Sequence, residues 1–214
     1  MGESWPYMLS GLSIIVYMRI DQIMLKNMLG EAEVGLYAAV LPLSQLWNVI
    51  PVILVSSLAP FMARKRQESV TQYRDALLKI FRTFGVMALI ASLVTAIFST
   101  LIVSILFGPS YARSGPILAT HVFTNFFVFQ GVAQSLWFLN QGRGIYSLYK
   151  TAIGALVAVA SNYLLIPLYG LYGAAISANI SYASSAVLSN IWLAPDIFKM
   201  QIGINPGPDD EKPA

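Results

Sequence analysis

Four stretches of the chain carry no charged residue: Val34 to Ala63, Thr83 to Ala112, Ser114 to Gly142 and Thr151 to Pro195. A helix that crosses a hydrocarbon layer of ~30 Å needs ~20 mostly apolar residues, and each stretch supplies them. The fourth is too long for one crossing. It contains Pro167-Leu-Tyr-Gly170-Leu-Tyr-Gly173, a cluster that breaks helices, so it reads as two helices joined by a tight hairpin. A further apolar segment, Ser4 to Leu29, comes first and is interrupted only by Arg19, Asp21 and Lys26. The pattern predicts six spans: 4–28, 34–63, 83–108, 114–141, 146–167 and 171–195. The second holds Pro42, Pro51 and Pro60. It is expected to kink, because proline removes a backbone donor and crowds the preceding turn. The apolar runs are continuous rather than alternating, which excludes a β-barrel.

Composition sharpens this into an all-α integral membrane protein. Of 214 residues, 57% are hydrophobic and 11% charged, against about 45–50% and about 25% in soluble domains. Too few charges remain to cover a water-facing surface. The absence of cysteine excludes disulfides and thiolate metal sites. Met1 to Glu3 is not a basic n-region, so the first apolar helix is expected to do the targeting.

The charges that exist are sorted by loop. Arg64, Lys65, Arg66, Arg74, Lys79, Arg82, Arg143, Lys150, Lys199 and Lys212 fall on one side, and Lys26 and Arg113 on the other. The positive-inside rule then places both termini in the cytoplasm. Val70, Tyr73, Leu77, Ile80 and Phe81 recur at helical spacing among charged neighbours, which predicts an amphipathic helix lying in the membrane interface and running into the third span. Residues 1–200 form the transmembrane bundle, and 201–214, rich in Pro, Gly and acid, are expected to be a disordered tail.

Ionisable residues inside a span are costly, by roughly 2.5–3.5 kcal/mol at a helix centre, and normally face a bundle interior or a watery path. Arg19 and Asp21 are such residues. Two positions apart is ~200° around a helix, so they do not share a face. Each either faces a cavity or snorkels towards the outer interface. Gln22, Gln130, Gln134, Asn140 and Asn162 are polar side chains that could line a transport path. Ser177, Ser181, Ser185 and Ser189 step along the last span at a spacing that suits close helix packing better than a serine-lined path, and lone His121, which could relay a proton, reads rather as a hydrogen-bonded packing residue near the interface. No nucleophile elbow, metal cluster or phosphate-binding glycine loop is present, so no enzymatic activity, cofactor, metal or nucleic-acid partner is expected.

Arg19-Ile-Asp21-Gln-Ile-Met-Leu25 with Leu29-Gly30-Glu-Ala-Glu-Val34-Gly35-Leu-Tyr37, the turn Phe107-Gly108-Pro-Ser-Tyr111, and Asn162-Tyr-Leu-Leu-Ile166-Pro167-Leu-Tyr-Gly170-Leu-Tyr-Gly173 occur in this order between these spans. The set resembles the second half of polysaccharide (O-antigen type) flippases of the multidrug/oligosaccharidyl-lipid/polysaccharide exporter superfamily. That resemblance implies one six-helix lobe of a two-lobed alternating-access exporter in the inner membrane. The implied substrate is a saccharide on a polyprenyl diphosphate, as in lipopolysaccharide assembly. The other lobe would come from a missing N-terminal segment or a second copy. Arg19 matches a position where such cavities use basic residues, with Asp21, Gln22, Gln130 and Asn162 as further path residues. The rival expectations are a multidrug or cation antiporter of the same superfamily, which would need an acidic cavity, and a membrane-embedded glycan transferase or polymerase, which would need a large catalytic loop.

Overall fold

The computed structural model describes residues 5–141 and 144–205 and is helical throughout, with no strand among them. The helices are α1 (Trp5–Leu29), α2 (Glu31–Gln45), α3 (Val49–Glu68), α4 (Val70–Phe107), α5 (Ser114–His121), α6 (Thr124–Gln141), α7 (Gly144–Tyr169), α8 (Leu171–Ala183), α9 (Asn190–Leu193) and α10 (Pro195–Gln201). A 3₁₀ turn at Leu46–Asn48 joins α2 to α3, and a π-helical turn at Ser184–Leu188 interrupts the run from α8 to α9. Four stretches are long and apolar enough to cross a membrane: 31–68, 70–107, 114–138 and 145–169. The first two have 38 residues each; the second is one continuous helix, ~57 Å long at ~1.5 Å per residue, whereas the first is broken at 46–48. Helix α4 must therefore project beyond a hydrocarbon core of ~30 Å.

Helix α4 shows why the bundle suits lipid. Val86, Ile90, Leu93, Val94, Ile97, Leu101 and Ile105 are exposed, whereas Ala88, Ser92, Thr95, Ser99 and Val103 are buried. Large apolar side chains point out and small or hydroxyl-bearing ones point in. Water would penalise so large an apolar patch; hydrocarbon does not. Small inward residues let neighbouring helices approach closely. The chain is a multi-pass membrane protein.

Two apolar cores lie at opposite ends of α4. Tyr73, Leu77, Phe81 and Phe84 pack with Met62, Phe129, Leu136, Ile197 and Met200. Val103 packs with Leu25, Tyr37, Val40, Leu41, Ile117, Leu118 and Leu171. Of the apolar stripe on the first turns of α4, Tyr73, Leu77 and Phe81 are buried against α3, α6 and α10, not laid on lipid as in an interfacial helix, while Val70 stays exposed. The periodicity identifies the stripe, but protein rather than bilayer covers it.

Between these cores lies a polar layer where two helix breaks meet. The α2–α3 break falls between Pro42 and Pro51, and the α5–α6 break at Val122–Phe123. Ser92 Oγ donates to the Val122 carbonyl at 3.0 Å, Asn125 Nδ2 to the Ser44 carbonyl at 3.0 Å, and Trp47 Nε1 to Thr95 Oγ1 at 3.0 Å. Away from water, backbone groups left over at a break must find such partners within the protein.

The hairpin predicted at 167–173 is present. Gly170 has φ +58° and separates α7 from α8. Gly173 then passes so close to α7 that a Cβ there would sit 2.1 Å from the Leu165 carbonyl oxygen. The tail begins in order: Arg82 Nη2 donates to the Gly203 carbonyl at 2.6 Å and Asn205 Nδ2 to Asp75 Oδ1 at 2.8 Å. The rest of the expected disorder, 206–214, lies outside the described residues, as do residues 1–4 and the side chains of Asn140 and Arg143.

Candidate functional site

The five path residues expected from sequence do not converge. Arg19 is on the outside of α1, in a stripe of exposed Met8, Ile15 and Ile23. It makes no hydrogen bond or ion pair with a described residue. Asp21 lies on the opposite, buried face, as the ~200° separation requires. Its Oδ2 accepts from Tyr37 Oη at 2.7 Å and its Oδ1 from the Gln22 backbone N–H at 2.8 Å. Gln22 and Asn162 stand on α1 and α7, which pack along each other, and Gln22 Nε2 and Asn162 Oδ1 are buried without a partner. Gln130 is distant, donating from Nε2 to the Phe81 carbonyl at 3.1 Å, with its Oε1 unpartnered. A cavity of 480 Å³ between α4, α5 and α8, lined by Ala96, Thr120, Phe123 and Asn179, contains none of the five.

Other polar residues do come together. His121 Nδ1 lies 2.8 Å from Ser44 Oγ, and its ring meets Tyr37 edge-on at 5.9 Å. Tyr37 and Ser44 are seven residues apart, two turns along one face of α2. A buried polar train thus runs from Asp21 through Tyr37, His121 and Ser44 to Asn125. His121 is a hydrogen-bonded packing residue, as expected. Tyr37 carries no sequence signal beyond its place on that face.

A second network centres on Lys150, which the sequence counts among the loop charges at the start of the fifth predicted span. It is buried inside α7. Its Nζ donates to Gln134 Oε1 at 2.8 Å and sits 5.1 Å from the centre of the Phe138 ring. Gln134 Nε2 donates to Asn190 Oδ1 at 2.7 Å, and Asn190 Nδ2 to Gln201 Oε1 at 2.9 Å. The apolar run around Lys150 is the only sequence hint of its burial. Gln134→Leu would leave a buried ammonium with one ring for company, so it should cost roughly 2 kcal/mol or more. Lys150→Met in the same background should recover part of that loss. Thermal midpoints of the single and double variants in detergent check this non-additivity.

The serine ladder is a packing surface. A Cβ on Gly154 would lie 2.7 Å from Ser185 Cβ, and Ser161 Oγ and Ser177 Oγ are 2.5 Å apart. At one end of the bundle Glu31 and Glu33 form surface ion pairs. Lys26 reaches Glu31 at 3.0 Å, and Arg113 grips Glu33 through two nitrogens at 3.0 and 3.4 Å. Exposed pairs of this kind contribute about 0–1 kcal/mol each.

Comparison with known proteins places these features in a setting. Residues 1–66, α1 to most of α3, match the sequence family described as "Polysaccharide biosynthesis protein", just under a third of the chain. No curated protein and no solved structure matches it. The match and the apolar helices together support a multi-pass membrane protein of polysaccharide biosynthesis or transport.

Proposed function

We propose that this chain is one six-helix lobe, the C-terminal one, of a flippase that moves a lipid-linked saccharide across the inner membrane by alternating access. The observation that carries the reading is Arg19: an exposed guanidinium in an otherwise apolar stripe, inside the segment that matches the polysaccharide biosynthesis family. Left against lipid, that charge costs a few kcal/mol. Facing a watery cavity closed by a second lobe, it is a ready partner for a diphosphate. The saccharide would be of the O-antigen type on a polyprenyl diphosphate, with its tail left in lipid. No bond is made or broken, so the protein acts as a transporter rather than an enzyme. The antiporter reading loses support because Asp21, the intramembrane carboxylate it needs, faces the lobe interior and not the exposed face.

The test is scrambling of a fluorescent polyprenyl-diphosphate saccharide in liposomes. The chain paired with an N-terminal lobe should move it; the chain alone should insert without moving it. Movement by the chain alone overturns the half-transporter reading, and none in any pairing overturns the flippase reading. The topology has its own check. The chain has no native thiol, and cysteines at the exposed positions Glu31 and Ser110 should label from outside intact cells, whereas one at exposed Gln67 should not. Labelling at Gln67 would reverse the orientation.

A further inference from the structure

The exposed side of α4 changes character within one turn. Up to Thr83 it carries Gln72, Asp75, Lys79 and Arg82; beyond that it carries Val86, Ile90, Leu93 and Ile97. Charges stop where hydrocarbon begins, so the bilayer boundary falls between Thr83 and Val86. Gln72 precedes Val86 by fourteen residues, or ~21 Å of helix. The headgroup layer on one side is only ~5–8 Å thick, and even a tilt of ~40° leaves Gln72 clear of it. Lys65 Nζ donates to Gln72 Oε1 at 3.2 Å and lies 5.4 Å over the Phe61 ring. The end of α3 is therefore held at the level of Gln72. The α3–α4 corner, with exposed Arg64 and half-buried Lys65, stands in water beyond the lipid phosphates. Six basic side chains against two acidic ones fall between residues 64 and 82, so the surface there is positive.

The C-terminal segment already lies along this surface. Ile197 and Met200 of α10 are buried in the core beneath it. Arg82 Nη2 then donates to the Gly203 carbonyl, and Asn205 Nδ2 to Asp75 Oδ1. Between 203 and 205 the chain thus passes from Arg82 to Asp75, towards the start of α4 and the corner. From Asp75 to Gln72 is only ~4.5 Å of helix. Asp209, Asp210 and Glu211 come four to six residues after Asn205, a reach of up to ~13–20 Å.

We propose that the acidic segment 209–211 docks on the basic α3–α4 corner, against Arg64 and Lys65, and latches the C-terminal strap across the water-facing ends of α3 and α4. Sign and reach both favour this occupant, whereas lipid headgroups lie too far up the helices. Exposed ion pairs are individually weak and are screened by salt. The tether offsets this, because a linker of a few residues gives an effective concentration in the millimolar range. The latch is therefore electrostatic and reversible. Closed, it ties α10 to α3 and α4; open, it leaves the basic corner bare. It does not rest on the identity of the carried substrate.

Disulfide trapping in the full chain tests it. With no native thiol present, the pair Gln67→Cys and Pro208→Cys reads the contact and leaves every charge in place. In phosphatidylcholine vesicles at ~0.1 M salt, mild oxidation should join the two. Neutralising the tail with Asp209→Asn, Asp210→Asn and Glu211→Gln should slow the reaction about tenfold. So should ~1 M salt, where the screening length falls to ~3 Å. Reversing both sides, Arg64→Glu and Lys65→Glu with Asp209→Lys and Asp210→Lys, should restore the rate. The tail substitutions touch no described residue, so a slower reaction there is not a folding defect. Equal rates with the neutral tail, or a rate indifferent to salt, overturn the proposal. Loss of the cross-link on adding phosphatidylglycerol overturns it too, and gives the corner to lipid. None of these results bears on saccharide scrambling, so the two readings fail separately.

Discussion

Gly173→Ala should be the most damaging single-methyl change in this protein, lowering stability by about 3 kcal/mol. The added Cβ would stand 2.1 Å from the Leu165 carbonyl oxygen, 2.5 Å from its carbon and 2.9 Å from the Ile166 nitrogen. All three atoms are backbone, held in the helical ladder of α7, so no side-chain rotation relieves the clash. The helices must separate, and with them the surfaces that bury Ile166, Leu171 and Ala174. Gly170→Ala should cost less, about 1–3 kcal/mol, because only its φ of +58° with ψ −131° is strained and its nearest neighbour is the Leu29 side chain at 4.0 Å. Gly35→Ala, on α2 with nothing within 4 Å, should be neutral or slightly stabilising, since alanine is the better helix former. Membrane yield and thermal midpoint in detergent should rank the variants in that order. A Gly173→Ala protein as stable as the parent would mean that α7 and α8 do not approach as described.

The contrast among these glycines marks how much of the fold was legible. The Pro/Gly cluster at 167–173 announces a turn through local chemistry, and a turn is there. The lengths of the apolar runs likewise announce membrane helices. What escapes is whatever depends on a partner from elsewhere in the chain. The break at Val122–Phe123 contains neither proline nor glycine; it persists because Ser92, thirty residues away, supplies the hydroxyl that caps the freed carbonyl. The stripe on the first turns of α4 was legible as a stripe, but α3, α6 and α10 cover it, and α10 lies beyond the last predicted span. Lys150 reads as a loop charge because charges usually are, and only Gln134, sixteen residues earlier, makes its burial tolerable.

The candidate site shows the same division. Helical geometry separates Arg19 from Asp21 by ~200°, and the structure buries one and exposes the other. Periodicity cannot say which of two faces turns inward. That depends on Tyr37 offering a hydroxyl to Asp21 on one side and on no described residue pairing with Arg19 on the other. An isolated helix presents both residues alike; packing against α2 distinguishes them.

If the chain is the proposed flippase lobe, Arg19→Ala in the two-lobed assembly should reduce saccharide movement about tenfold to a hundredfold, the loss of one or two charge-assisted hydrogen bonds to an anionic head group. Arg19→Lys should retain part of the activity, because an ammonium keeps the charge but not the two-pronged grip of a guanidinium on a phosphate. Protein abundance separates this from a structural role. Arg19 has no hydrogen-bonded partner among the described residues, so its removal orphans no group among them. Insertion of α1 should become easier, by roughly 2.5–3.5 kcal/mol if the residue sits near the helix centre. Membrane levels of Arg19→Ala should therefore equal or exceed those of the parent while transport falls. If Arg19 instead pairs with a carboxylate of the facing lobe, its loss strands that charge in the interface, at a cost of about 3–5 kcal/mol, and abundance of the assembled protein drops with activity. Restoration of abundance by neutralising the partner acid would then make Arg19 an inter-lobe tether. Full transport by Arg19→Ala would remove the residue from the path and, with it, the observation on which the flippase reading stands.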